Sequence, residues 1–187
     1  TYEGPPMPCR SCRQYTTTSF AAHGLPVHVL TESWAADDGS WPEIDLVSRR
    51  DLVDVESDGL PLGRLVDIPL KWFLCAADLD DDPLAAVTTR AFLRSARRIA
   101  RSVERVLDDV QPDTVLLLNG LFLFEGIAWA IARRRGMDVV TYERAFRQET
   151  LVFSRDVPAG FYDYSADWPT ADRELRPGEA AELDAYL

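Results

Sequence analysis

The sequence predicts one α/β domain built in three layers, with a mainly parallel sheet between helices. Two observations carry the expectation. Short unbroken apolar runs, Thr114 to Leu118 above all, read as strands covered on both faces, the pattern of buried parallel sheets. Amphipathic helical patterns separate these runs, which is the β-α-β alternation of layered α/β folds. At 187 residues, 47% of them hydrophobic, the chain has the size and apolar content for one sizeable core.

Residues 1–8, with three prolines, read as an irregular lead-in. Ser11 to Ala22 reads as a helix, with Gly24 where a C-terminal cap belongs. Pro26 to Leu30 reads as a short central strand. Residues 31–82 are turn-rich, and within them Ile44 to Val47 and Leu65 to Leu70 suit a strand or a short helix equally. Pro83 suits the first turn of a helix, and the acids before it suit that helix's positive end. Phe92, Ala96, Ile99, Val103, Val106 and Val110 then recur at spacings of three and four, one continuous apolar stripe. Arg94, Arg97, Arg98, Arg101 and Arg105 fall largely off the stripe, and we read them as a solvated face in preference to an anion-binding one.

Gln111-Pro112-Asp113 ends that helix. Thr114 to Leu118 follows as a central strand, Leu123 to Arg135 as a helix closed by Gly136, and Asp138 to Tyr142 as the next strand. The unit has the length of a right-handed crossover. Beyond Glu143 regularity fades, until residues 178–187 after Pro177 read as a helix, expected to link to further protein.

Net charge is −11, which argues against a nucleic-acid backbone or an anionic membrane as main partner. Residues 31–82 hold fourteen Asp/Glu against four Lys/Arg, so the acidity is local. The longest apolar stretch, Leu121 to Ala132, is broken by Glu125 and too short to span a bilayer. An odd count of three cysteines makes no disulfide framework, so a reducing, cytoplasmic setting is expected. The dinucleotide fingerprint, the phosphate-binding glycine loop and the serine-nucleophile elbow are all missing.

In open α/β sheets ligands bind beyond the carboxyl ends of the strands. Two such ends carry polar residues here: Asn119-Gly120 after the first strand, and Glu143-Arg144 after the second. If those strands are neighbours, the four residues share one rim. Cys9 and Cys12 form a C-x2-C hook of the kind that chelates zinc. With His23 and His28 the spacing approaches a zinc finger, but a finger needs its histidines on a helix after a hairpin, whereas here the helix comes first and His28 falls in the expected strand. We expect the pair to lie close together without a complete four-ligand site, so zinc is a possible structural ion and no cofactor is required. Cys75 reads as a small buried apolar residue. Trp34, Trp41 and Trp168 would favour carbohydrate stacking if exposed.

The stretch "PDTVLLLNGLFLFEGIAWAIARRRGMDVVTYERAF" resembles part of the glycosyltransferases that build capsule and surface polysaccharides. "CRSC", "DGLPLGR" and the final "W … ELRPGEAAELDAYL" extend the resemblance over most of the chain. It implies a Rossmann-like domain, the N-terminal, acceptor-side half of the two-domain GT-B architecture, covering residues 1–187. It further implies Glu143 as the base that deprotonates an acceptor hydroxyl, Asn119 and Gly120 against a sugar, and Arg144 or Arg147 against phosphate. The nucleotide-sugar would sit in a second domain that this sequence lacks, and only the two-domain protein would be active. The resembling proteins carry a further cysteine pair upstream, so Cys9 and Cys12 would be half of a four-cysteine site. Ala145-Phe146 departs from the pattern, which has a His-Gly-like pair after the Glu. A non-catalytic Rossmann-like module that binds carbohydrate or protein is the alternative reading.

Overall fold

The computed structural model describes residues 9–35, 38–79, 84–155, 157–161, 163, 165 and 173–186. The irregular lead-in, residues 1–8, and Trp168 lie outside them. Helix dominates: α1 (Cys9–Ala22), α2 (Leu62–Leu74), α3 (Ala85–Val110), α4 (Leu123–Arg134) and α5 (Pro177–Tyr186). The one sheet among the described residues has the order β1-β2-β3, formed by Thr114–Leu118, Asp138–Arg144 and Leu151–Ser154.

The expected three-layer domain with a mainly parallel, Rossmann-like sheet is therefore corrected. β1 and β2 are parallel, but β2 and β3 are antiparallel, so the three-stranded sheet is mixed. Pro26 to Leu30 forms no strand. Leu30 instead opens a short 3-10 turn, Leu30–Ser33, and packs against the helical core. β1 is left at the sheet's edge rather than at its centre. Its Val115 packs on the core, while Leu116 is 61% exposed and Phe153 of β3 57% exposed on an uncovered face. An apolar run shows that a strand can be covered on both faces; it does not show that it is.

The core lies between helices. Leu93, Ala96, Ile99, Val103 and Leu107 of α3 meet Leu62 and Val66 of α2, and Ile127 and Ile131 of α4. Of the apolar stripe read from sequence, Ala96, Ile99 and Val103 are buried, Phe92 and Val106 half-buried and Val110 exposed, and Leu93 and Leu107 complete the buried side of α3. That helix ends where Gln111 turns left-handed, with φ of 48°, and Pro112 cannot continue it. The two ambiguous segments resolve into helical forms: Pro42–Asp45 is a 3-10 turn, and Leu65 to Leu70 belongs to α2.

The arginine face of α3 is not solvated, a second correction. Arg90 donates to the carbonyls of Ile44 and Val47 at 3.1 and 2.7 Å, and Arg97 to that of Ser40 at 2.7 Å. Arg94 pairs with Asp45 at 2.6 Å. Arg101 and Arg105 both pair with Asp38, which is only 4% exposed. The acidic, turn-rich segment is thereby wrapped onto a basic helix. In "DGLPLGR", Asp58 and Gly59 take left-handed φ values to close a tight bridge between Ser57 and Leu60. Gly63 begins α2 against the carbonyls of Leu52 and Val53, where a side chain would collide. This motif is a structural joint.

Candidate functional site at the ends of β1 and β2

Parallel pairing sets Leu118 opposite Tyr142, so the next residues, Asn119 and Glu143, emerge side by side at the same end of the sheet. The Asn119 amide extends the ladder by donating to the Tyr142 carbonyl at 2.8 Å. The Asn119 side chain, in a residue only 6% exposed, is held from both sides. Its Oδ1 accepts the Leu121 amide at 2.9 Å, and its Nδ2 donates to Glu143 Oε2 at 2.8 Å. Glu143 Oε1 accepts the Arg144 amide at 2.8 Å. Each carboxylate oxygen thus has one donor and retains a lone pair for another.

Gly120 is buried with φ of 81°, a conformation that side chains resist. A Cβ there would lie 2.6 Å from the Pro158 ring. Pro158 belongs to the segment after β3, which folds back so that the Gly160 amide donates to the Asn119 carbonyl at 3.1 Å. The Ala159 amide donates to the buried Thr141 Oγ1 at 2.7 Å. Sequence reasoning missed Thr141, Pro158 and Gly160, and no local signal marks them, because their contacts cross 18 to 41 positions.

The structure thus brings Asn119, Gly120 and Glu143 together, with the exposed Arg144 beside them. Arg147 stands apart in the β2–β3 connection, where it lines a groove with Phe146 and with Glu182 and Tyr186 of α5. The Leu121 amide, the next donor after Gly120 at this rim, is taken by Asn119 Oδ1. Glu125 is half-buried in the first turn of α4 and borders an apolar groove with Leu30, Val106 and Leu116.

The cysteine readings fare differently. Cys12 is exposed with a free thiol and shares a groove with His28; the Cys9 side chain lies outside the described residues. Among the described residues no three His, Cys, Asp or Glu gather as metal ligands. Cys75 is exposed, contrary to the buried reading, and ends α2 with a left-handed φ of 53°. Trp34 and Trp41 each lie under an arginine, Arg98 at 4.8 Å and Arg97 at 5.0 Å, which engages these rings within the fold. Among the described residues no helix is long and apolar enough to cross a membrane.

Comparison gives no family: no family model, no curated protein and no solved structure matches this chain.

Proposed function

We propose that this chain is the acceptor-binding side of a glycosyltransferase in polysaccharide or glycoconjugate biosynthesis, working in the cytoplasm. The observation that carries the reading is the hydrogen bond between Asn119 and Glu143, two residues that the resemblance singles out from opposite ends of a β-α-β unit. The reading rests on these residues and their setting, since the mixed sheet departs from the architecture that the resemblance implied.

In this reading Glu143 takes the proton of an acceptor hydroxyl, whose oxygen attacks the anomeric carbon as the nucleotide leaves with the bonding pair. Asn119 fixes the carboxylate, a positioning role that leaves little of its own polar capacity for a sugar. Arg144, beside Glu143, supplies positive charge for phosphate groups, the role that Arg147, which stands apart, does not fill at this rim. The nucleotide-sugar is held by a second domain. Glu143→Gln keeps the shape and removes the base, so turnover by the two-domain protein should fall by about 10² or more. Unchanged turnover would eliminate the role.

A second reading, a non-catalytic module that docks on another protein, is favoured by one observation. Leu116, Leu118, Leu151 and Phe153 stay exposed together on one sheet face, and exposed apolar patches mark interaction surfaces. Transfer activity that depends on Glu143 would separate the two.

A further inference from the structure

A cleft of about 880 Å³ opens between α2, the start of α3 and the 3-10 turn Arg49–Asp54, and none of the residues of the sheet's site lines it. Its floor is apolar, made by Leu52, Val66, Leu70 and Ala85, all buried. Three of the five polar side chains that line it are satisfied from within. Ser48 donates to Asp51 at 2.6 Å, Asp67 accepts from Lys71 at 2.8 Å, and Thr89 donates to the Ala85 carbonyl at 2.6 Å. Arg49 and Arg50 are the exceptions. Among the described residues neither guanidinium has an acid or a carbonyl partner, whereas Arg90, Arg94, Arg97, Arg101 and Arg105 on the neighbouring helix all do.

Two unpartnered guanidinium groups beside an apolar floor are locally complementary to an anion with a hydrocarbon body. We infer that this cleft binds a soluble amphipathic phosphate or carboxylate, with its head on Arg49 and Arg50 and its body on Leu52, Val66 and Leu70. Guanidinium groups meet both head groups through paired, charge-assisted hydrogen bonds. The net charge of −11 repels an extended anionic bilayer more than it repels one small anion that meets two local guanidiniums. The inference is independent of Glu143 and of any transfer reaction.

The test is titration of the isotope-labelled protein with octyl phosphate below its micelle concentration, followed by amide NMR. Octyl phosphate should shift the amides of Leu52, Val66 and Ala85 in a saturable way. Octanol and inorganic phosphate should each bind at least tenfold more weakly, because each supplies one half of the recognition. Arg49→Gln with Arg50→Gln should weaken octyl phosphate at least tenfold and leave the rest of the spectrum unchanged, as both residues are exposed. Ala86→Phe, which fills the cleft from its half-buried wall, should weaken binding without touching the charges. Shifts elsewhere only, equal affinity for octanol, or an affinity indifferent to the paired substitution would overturn the site. Sedimentation with phosphatidylglycerol vesicles, without binding of octyl phosphate, would overturn the soluble ligand.

Discussion

Asn119 makes four hydrogen bonds in one place: its amide to Tyr142, its carbonyl from Gly160, its Oδ1 from Leu121 and its Nδ2 to Glu143. Gly120 next to it has both a left-handed φ and the Pro158 ring against it. Gly120→Ala should therefore destabilise the fold by roughly 1–3 kcal/mol, the scale of local backbone strain, with the steric contact adding to it. Urea denaturation of the two forms checks this, and a change below a few tenths would deny the close approach. The Asn-Gly pair was legible in the sequence because its chemistry is local: a side chain that bonds the backbone two residues on, and a glycine at the strand's end. Pro158 and Gly160 were not, since only the fold brings them to Asn119. Cys75 was misread for a related reason: a small thiol after an apolar run suits a core, but its left-handed φ turns it out at the helix's end.

At the scale of elements, the arginines of α3 tie the acidic segment to the helix, Arg94, Arg101 and Arg105 through carboxylates and Arg90 and Arg97 through backbone carbonyls, beside the buried contacts of Ile44 and Leu52. The segregation of opposite charges was visible in the sequence; that the arginines would reach partners 43 to 67 positions away was not. Asp38 is the residue to remove. Asp38→Ala would leave the half-buried Arg101 and Arg105 guanidiniums without their acid and the Ala35 amide without its acceptor. Such losses cost about 1–3 kcal/mol, seen as a lower urea midpoint, whereas Asp54→Ala, whose pair with Arg64 is exposed, should change little. α5 makes a prediction in pH. Glu179 at its third position accepts from Arg173 and from the Arg176 amide, a capping arrangement at a proline-started helix. The Arg173 hydrogen bonds, then the Arg176 amide, hold its carboxyl down to about 2 from an ordinary 4.5. A lowered folded value means that this contribution is present above about pH 4.5 and is lost as pH falls toward 2. The protection of α5 amides, taken relative to the intrinsic exchange rate at each pH, should fall over that window, and in Glu179→Gln this carboxyl-dependent step should vanish.

At the scale of the molecule, helices α2, α3 and α4 hold the core, and the small mixed sheet lies beside it with one face open. The β1-α4-β2 unit was legible, since apolar run, glycine-capped helix and second run have the periods of their elements. The rest of the sheet was not, because Pro26 to Leu30 has the composition of a strand but is held by helical neighbours. What survives that correction is the meeting of two parallel strand ends, and the proposal that Asn119 acts through Glu143 in a two-domain transferase rests on it. The direct measurement is turnover in the two-domain protein for Asn119→Ala, Glu143→Gln and the double variant. If Asn119 works by holding the Glu143 carboxylate, its loss costs nothing further once that carboxylate is gone, so the double variant should be no slower than Glu143→Gln alone. Independent effects that multiply in the double variant would contradict it.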